Sequence, residues 1–227
     1  MPTVLITGAN RGVGLALART YAARGDHVIA TARQLDKATA LKAISGVRVL
    51  ALDITDEPSI ARLAQSLHAE TIDILICNSG IMGSRGGIDA APGPDAAEWA
   101  RMMATNVTGA FLVTRAVLPN LLRAKAGKLA LISTMMASSS LARGDCYSYR
   151  ASKAALANLG LNLSVELKPK GVAVGIYHPG WVSTDMGGAA APVSPADSGA
   201  GLVRRIDLLS LATTGVFEDY AGQPYAF

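Results

Sequence analysis

Short apolar segments rich in β-branched residues alternate with longer helical patterns along the whole 227-residue chain. The first apolar segment, Thr3–Thr7, leads directly into a glycine-rich loop and then into a helical pattern over Gly12–Arg24. Parallel strands buried on both faces are continuously apolar, and each needs a crossover, usually helical, to reach the next strand. The alternation therefore predicts an α/β fold with a doubly wound parallel sheet of about seven strands and helices on both faces.

The predicted elements follow one another without a break that would divide the chain. Strands are predicted at Thr3–Thr7, His27–Thr31, Val47–Leu52, Ile72–Cys77, Lys128–Ser133 and Val172–Tyr177, with a last strand in the C-terminal tail. Helices are predicted at Gly12–Arg24, Asp36–Ile44, Asp56–Ala69, Asp95–Lys125, Tyr147–Lys168 and Ala196–Leu211. Glycine- and proline-rich loops are predicted at Gly83–Pro94 and His178–Pro195. No repeat or linker interrupts this order, which predicts one domain over residues 1–227.

Composition limits the functional classes. Half of the residues are hydrophobic and 17% are charged, which favours a large buried core over disorder. The formal net charge is +4, but lysines and arginines are scattered, so we expect no nucleic-acid partner, and a nucleic-acid-binding protein is an alternative that rests on charge alone. Cys77 and Cys146 are far apart and lack metal-ligand spacing, so we expect no metal site and a reduced, cytoplasmic setting. No segment resembles a signal peptide or is long enough to span a bilayer, so no membrane partner is expected.

The loop after the first strand, TGANRGVG at Thr7–Gly14, is typical of a dinucleotide-binding Rossmann fold. Gly8 allows a tight turn, while Gly12 and Gly14 allow the backbone to approach a phosphate and the helix to pack on the strand. The N-terminus of the following helix offers N–H groups and a positive dipole to a pyrophosphate. A glycine pattern alone is weak evidence, but its position between the first strand and the first helix strengthens it.

The Gly-x-x-x-Gly-x-Gly spacing resembles that of the short-chain dehydrogenase/reductase family. Other segments match the family's motifs in the correct order: Asp53, CNSG at Cys77–Gly80 with Cys and Ser in place of Asn and Ala, Asn106, YRASK at Tyr149–Lys153, and PGWVST at Pro179–Thr184. The segment HPGWVSTDMGG at His178–Gly188 is similar to the C-factor-like and sniffer-like carbonyl reductases. The resemblance covers nearly the whole chain.

The resemblance implies a set of residues that bind NADPH or NADP+. These are Gly8, Asn10, Arg11, Gly12, Val13, Gly14, Arg33, Asp53, Ile54, Asn78, Ser79, Gly80, Tyr149, Lys153, Pro179, Gly180, Val182 and Thr184. The end of the second strand favours NADPH over NADH, since it carries Arg33 and no acid that would bind a ribose 2′-hydroxyl. Arg33 could bind a 2′-phosphate in a fork, with Arg11 as a second cation.

The resemblance also implies that Tyr149 and Lys153 are catalytic. They are four residues apart and share one helix face, whereas Tyr147 lies on a different face. A free tyrosine has a pKa near ~10. We therefore expect the Lys153 ammonium, a nicotinamide ribose and positive cofactor charge to lower the pKa of Tyr149, which donates a proton to the substrate oxygen.

A hydroxyl and an amide complete the catalytic group that the resemblance implies. Relatives end the fifth strand in Ile-Ser-Ser with the second serine catalytic, and this register places Thr134 there. Ser133 is the first alternative, and the cluster Ser138–Ser140 is a weaker one. Asn106 matches the residue that holds a water between the lysine and solvent, and its poorly helix-forming neighbours predict a local distortion.

The predicted function is NADPH-dependent reduction of an aldehyde or ketone, with alcohol oxidation as the reverse reaction. The side chains Met82, Met135, Met136, Trp181 and Met186 suggest an adaptable apolar pocket. His178 is expected to be structural. A non-catalytic, NAD(P)-binding signalling protein of the C-factor type is the alternative. The resemblance implies a homodimer through the helices around Ala104–Lys125 and Tyr147–Lys168, which the family pairs. The second helix also carries Leu156, Leu159, Leu163 and Leu167 at helical spacing, although the sheet must bury part of that stripe.

Overall fold

The computed structural model describes residues 1–91 and 93–227 and contains one seven-stranded sheet. All neighbouring strands are parallel, in the order β3-β2-β1-β4-β5-β6-β7. The predicted doubly wound Rossmann fold is therefore confirmed. Pro92, inside the predicted loop Gly83–Pro94, lies outside the described residues.

The strands and principal helices have the following bounds. The strands are β1 Thr3–Ile6, β2 His27–Ala32, β3 Val47–Ala51, β4 Ile74–Cys77, β5 Gly127–Ile132, β6 Val172–His178 and β7 Val216–Asp219. The helices are α1 Gly12–Ala23, α2 Thr39–Lys42, α3 Glu57–Ser66, α4 Ala96–Met103, α5 Gly109–Leu121, α6 Tyr147–Leu167 and α7 Pro195–Leu208. The predicted C-terminal strand is thus present as β7.

Helices cover both faces of the sheet because successive strand residues point in opposite directions. On one face, Leu5 and Leu75 of the central strands pack with residues of α3, α5 and α6. On the other face, Val4 and Ile6 pack with residues of α1 and α7. Cys77 is 4% exposed within the first cluster, which confirms its interpretation as a small buried hydrophobe.

Two predicted helices differ from the structure. The predicted helix Asp36–Ile44 is reduced to the single turn α2, since the segment buries only Ala38 and Leu41 fully and lacks a broad apolar face. The predicted long helix Asp95–Lys125 is interrupted by a π-helical turn at Ala104–Thr108 and ends at Leu121. The interruption confirms the distortion predicted around Asn106.

The sheet topology determines where a ligand can bind. The chain fills the sheet outward from β1 in one direction through β2 and β3, and then crosses back to β4 on the other side of β1. In open α/β sheets such a reversal leaves a crevice at the carboxyl ends of the strands. The glycine loop after β1 and the Asn78 segment after β4 meet there. Within the described ranges, no helix is long and apolar enough to cross a membrane.

Candidate active site

The glycine loop adopts a backbone conformation suited to binding a phosphate. Gly8 and Gly12 have φ angles of +64° and +55°, in the left-handed region that residues with a Cβ rarely adopt. Helix α1 begins immediately after Arg11, and no side chain caps its N-terminus. The first N–H groups of α1 are therefore open to an anionic ligand.

A partly buried network of hydrogen bonds joins the glycine loop to the end of β4. The Asn78 side-chain amide donates to the backbone oxygens of Thr7 and Gly8, at 3.0 Å each. The Thr7 hydroxyl in turn accepts from the backbone N–H groups of Asn78 and Ser79, at 3.0 and 3.1 Å. A Cβ at Gly14 would lie 2.5 Å from the Asn78 amide nitrogen. The geometry thus gives Asn78 a bracing role beside any contact with a cofactor.

Arg33 and Asp53 follow the neighbouring strands β2 and β3 on one side of the crevice. Arg33 is exposed, and Asp53 accepts hydrogen bonds from the N–H and hydroxyl of Thr55, at 2.9 and 2.7 Å. Partial burial opposes ionisation of Asp53, but the Thr55 hydrogen bonds and the charge of Arg33 hold its pKa below the usual value. Ile54 is buried against Gly109 of α5. The arrangement leaves a cation and an anion at the surface of the crevice.

Arg11 is already engaged. Its guanidinium lies 2.7 Å from the Asp185 carboxylate, although both side chains are mostly exposed. This contact joins the glycine loop to the segment after β6. Exposed ion pairs contribute little to stability, so Arg11 can exchange Asp185 for a phosphate.

The segment after β6 closes the other side of the crevice. Gly180 has a φ of +88° and packs beneath the Tyr220 ring, while the Pro179 carbonyl accepts from Ser198 at 2.6 Å. Val182 is buried, and the Thr184 hydroxyl accepts from the Gly187 N–H at 3.2 Å. Gly12 lies close to Thr184: a Cβ added at Gly12 would lie 3.3 Å from the Thr184 methyl group. The predicted cofactor residues of both segments therefore face each other.

Tyr149 and Lys153 lie together on α6, where both are buried. The Lys153 ammonium lies 5.9 Å from the centre of the Tyr149 ring and donates a hydrogen bond of 2.8 Å to the Ile132 carbonyl. Tyr149 is 7% exposed and Lys153 4%, whereas Tyr147 is more exposed and its hydroxyl lies near Gly144. This geometry fits the expectation that Lys153 pairs with Tyr149 and not with Tyr147.

The expected direction of the Tyr149 pKa shift is wrong for the protein alone. Burial, with a smaller contribution from Cys146, raises the pKa of Tyr149 to about 12. Burial also lowers the pKa of Lys153 to about 8. The low-dielectric interior disfavours both charged forms, the phenolate of Tyr149 and the ammonium of Lys153. Tyr149 is consequently a neutral phenol at pH 7, which is the proton-carrying form that a general acid requires.

The geometry distinguishes between the two hydroxyls at the end of β5. The Ser133 hydroxyl donates to the Lys153 backbone oxygen at 3.2 Å, which binds β5 to α6. The Thr134 hydroxyl accepts from the Met136 N–H at 3.3 Å and keeps its own proton free to donate. Thr134 is therefore better suited to hold a substrate oxygen. Ser138 and Ser140 bond to each other at 2.8 Å.

Asn106 lies in the π-helical turn and is 1% exposed. Its amide exchanges two hydrogen bonds with the backbone of Ile81, at 2.9 and 3.0 Å, and donates to the Ser152 hydroxyl at 2.9 Å. A Cβ at Gly80 would lie 3.3 Å from both the Asn106 amide oxygen and the Lys153 nitrogen. The Asn106 amide oxygen and the Lys153 ammonium therefore lie close together beside Gly80.

The five apolar residues of the predicted pocket lie in the segments after β4, β5 and β6, at the carboxyl edge of the sheet. All five predicted pocket residues are at least partly exposed, and Trp181 is 55% exposed while its indole N–H donates to the Gly187 carbonyl at 2.8 Å. Arg85 reaches across to the Met186 carbonyl. His178 is buried against the Tyr225 ring, and burial lowers its pKa to about 4, which fits a structural role. A separate cleft of about 760 Å³ runs between α1 and α7 from Arg11 and does not include Tyr149.

Sequence reasoning missed one buried charge near this group. Glu98 in the first turn of α4 accepts hydrogen bonds from Ser84 and Ser148. The Asp95-x-x-Glu98 spacing is a helix-start signal, and Asp95 indeed caps α4 by accepting from the Glu98 N–H at 2.7 Å. The Glu98 side chain does not return to the cap, however, and only the tertiary structure shows where it points.

Comparison with known proteins identifies close similarity over most of the chain. The family model for the short chain dehydrogenase matches residues 2–193. The C-signal protein of Myxococcus xanthus is 39% identical over 155 residues, which cover 66% of this chain and 90% of that protein. The sequence resemblance to the family is thereby confirmed.

Two solved structures match the whole fold. The NADPH-bound carbonyl reductase from chicken fatty liver superposes with a TM-score of 0.92 at 28% identity, covering 100% of this chain and 99% of the other. The carbonyl reductase Sniffer of D. melanogaster superposes with a TM-score of 0.93 at 28% identity, covering 100% of both chains.

Proposed function

Because the chain belongs to the short-chain dehydrogenase family of oxidoreductases, we propose that it is an NADPH-dependent reductase of apolar aldehydes or ketones. The reverse reaction is alcohol oxidation. The observation that carries the proposal is the buried pair of Tyr149 and Lys153 at the carboxyl edge of the sheet. A neutral phenol beside an ammonium group is suited to give a proton to a carbonyl oxygen.

The described residues fit the dinucleotide. The uncapped start of α1 and the left-handed Gly8 and Gly12 form a cradle for a pyrophosphate. Arg33, exposed after the end of β2, is suited to contact a 2′-phosphate, and Arg11 of the glycine loop, paired with Asp185, is a second cation beside the crevice. Among the described residues, the Lys153 ammonium donates to one acceptor, the Ile132 carbonyl, which leaves two protons for ribose hydroxyls. The NADPH in the chicken carbonyl reductase supports the same cofactor here.

When bound, NADPH supplies the hydride for the substrate carbon. Tyr149 supplies the proton for the oxygen, and its high pKa keeps that proton in place until negative charge develops there. Thr134 donates a hydrogen bond that orients the same oxygen. Lys153 stabilises the phenolate left behind, while burial of the pair excludes water from the proton transfer. The partly exposed methionines and Trp181 form an adaptable wall for the rest of the substrate.

A panel of aldehydes and ketones, assayed with NADPH and with NADH, tests the proposal directly. We expect turnover of at least one apolar carbonyl compound and a lower KM for NADPH than for NADH. Fluorescence titration of both dinucleotides gives their binding constants independently of turnover. Binding of NADPH with no turnover across the panel would contradict the proposed reaction while leaving the cofactor assignment intact.

The similarity to C-signal favours a second candidate, a nucleotide-binding signalling protein without catalysis. The presence of a complete proposed catalytic group favours the enzyme, since a protein that only binds a nucleotide has no need for a buried proton donor. This group consists of Tyr149, Lys153, Thr134 and Asn106. The same panel separates the two candidates, because the signalling protein would bind NADPH without consuming it.

A further inference from the structure

Glu98 forms a buried junction between the three segments that surround the catalytic group. It is 9% exposed and lies in the first turn of α4. One carboxylate oxygen accepts from the Ser84 N–H at 3.1 Å and from the Ser148 hydroxyl at 2.5 Å. The other accepts from the Ser84 hydroxyl at 2.6 Å. The carboxylate therefore joins α4, the loop after β4 and the first turn of α6.

Both partners of Glu98 are close to catalytic or pocket residues. Ser148 is fully buried and immediately precedes Tyr149. Ser84 ends the short segment that contains Met82, and the other end of that segment is held by the double hydrogen bond between Ile81 and Asn106. Two anchors, Asn106 and Glu98, thus fix the wall that carries Met82 on either side.

The packing around the carboxylate is specific to this arrangement. A Cβ at Gly83 would overlap the Glu98 carboxylate and would lie 2.8 Å from the Ser148 hydroxyl. Among residues 1–91 and 93–227, no cation forms an ion pair with Glu98. The hydrogen bonds from Ser148 and Ser84 hold the pKa of Glu98 below its usual value despite burial, with a smaller contribution from the charge of Arg101. The positive end of α4 also favours the carboxylate.

We propose that Glu98 is a positioning residue that clamps the Met82–Ser84 wall of the substrate site to the Tyr149 end of α6. This inference rests on the proposed carbonyl reduction. Removing the carboxylate lets the wall and the first turn of α6 move relative to each other, while the glycine loop and Arg33 stay in place. The change therefore affects the substrate and not the dinucleotide.

Glu98→Ala tests the clamp through a split between substrate and cofactor parameters. A displacement of about 1 Å at a reacting group costs up to ~10²-fold, so we expect kcat/KM for the carbonyl substrate to fall ~10–100-fold. The KM for substrate should rise, and the dissociation constant of NADPH should stay unchanged. Glu98→Gln should retain most of the activity, because its amide oxygen can still accept from the Ser84 N–H and the Ser148 hydroxyl, and its NH₂ group can donate to the Ser84 hydroxyl oxygen. Glu57→Ala, at an exposed glutamate in the first turn of α3, is the matched control.

Hydrogen–deuterium exchange provides a readout that does not depend on turnover. Exchange in peptides covering Ile81–Arg85 and Cys146–Arg150 should increase in Glu98→Ala and remain near the parent level in Glu98→Gln. Ser84→Ala removes one hydroxyl from a partly exposed residue and should give the same pattern more weakly, so the test survives if Glu98→Ala does not fold. If the parent reduces no carbonyl compound, the proposed function fails while the exchange experiment still decides the clamp.

Three results would overturn the inference. Lower thermal stability of Glu98→Ala with unchanged KM and kcat would indicate a purely structural residue. Unchanged exchange in both peptides would show that the junction does not hold them together. Equal losses in Glu98→Gln and Glu98→Ala would exclude the hydrogen-bond clamp as the cause.

Discussion

Replacement of Tyr149 by Phe removes one hydroxyl from the proposed general acid. The ring is 7% exposed and its packing is kept. The Ser152 hydroxyl donates a hydrogen bond of 2.8 Å to Tyr149, but the acceptor is the backbone oxygen and not the phenol. Since no hydrogen bond to the described residues is lost with the phenol, we expect the free energy of unfolding to change by less than about 1 kcal/mol.

The loss should fall on the chemical step instead. A positioned general acid contributes about 10²–10⁴-fold in rate, which corresponds to about 2.7–5.4 kcal/mol in activation free energy at 1.36 kcal/mol per decade. The proton is needed only as the carbonyl oxygen becomes basic, so the NADPH dissociation constant should not change. Lys153→Met should differ and weaken cofactor binding as well, because it also removes the proposed ribose contact.

Single-turnover oxidation of NADPH, alongside fluorescence titration of NADPH, measures the two effects separately. Tyr147→Phe is the matched control, since it removes a phenol two residues away on a different face of α6. The catalytic assignment would be refuted by near-parent turnover in Tyr149→Phe, or by loss of turnover in Tyr147→Phe alone.

Three further predictions concern the cofactor, pH and assembly. Arg33→Asp should weaken NADPH binding by ~1.5–3 kcal/mol, about one to two decades, and affect NADH far less; equal titration curves for parent and variant would remove Arg33 as the discriminator. The pKa of Lys153 is lowered to about 8 by burial, so its cation is present below that pH and lost above it, whereas Tyr149 stays protonated. Reduction should therefore slow as pH rises through about 8, and a pH–rate profile that is flat or rising there would contradict this. Finally, we expect a homodimer through exposed apolar residues of α5 and α6, including Phe111, Leu161 and Val165. Light scattering should show that the Val165→Glu variant is a monomer. A parent protein that is monomeric at micromolar concentration would exclude the dimer.

The structure separates the leucine stripe of α6 from the residues that are available to the expected dimer. Leu156, Leu163 and Leu167 of the leucine stripe are buried in the core against the sheet. Leu161 and Val165 lie on the opposite side of α6, where they are 37% and 73% exposed. Helical spacing reveals an apolar face, but it does not reveal which neighbour covers that face.

Local patterns in the sequence were sufficient to predict the fold, and they also suggested most of the proposed site residues. Buried parallel strands are continuously apolar, which placed six strands to within a few residues, while the seventh was predicted only as part of the C-terminal tail. The glycine spacing at Gly8–Gly14 and the Tyr149–Lys153 spacing are also local, because the backbone conformations and the helix face that they require are properties of adjacent residues. Even the distortion at Asn106 was apparent from its poorly helix-forming neighbours.

Properties that depend on contacts between distant segments were decided only by the tertiary structure. Burial reversed the expected direction of the Tyr149 pKa shift, since desolvation depends on everything packed around the ring and not on Lys153 alone. The choice between Ser133 and Thr134 was informed by which hydroxyl meets the Lys153 carbonyl, 20 residues away. The junction at Glu98 joins residues 14 and 50 positions apart, and no local pattern encodes such a meeting, because it exists only once the sheet has brought the ends of its strands together.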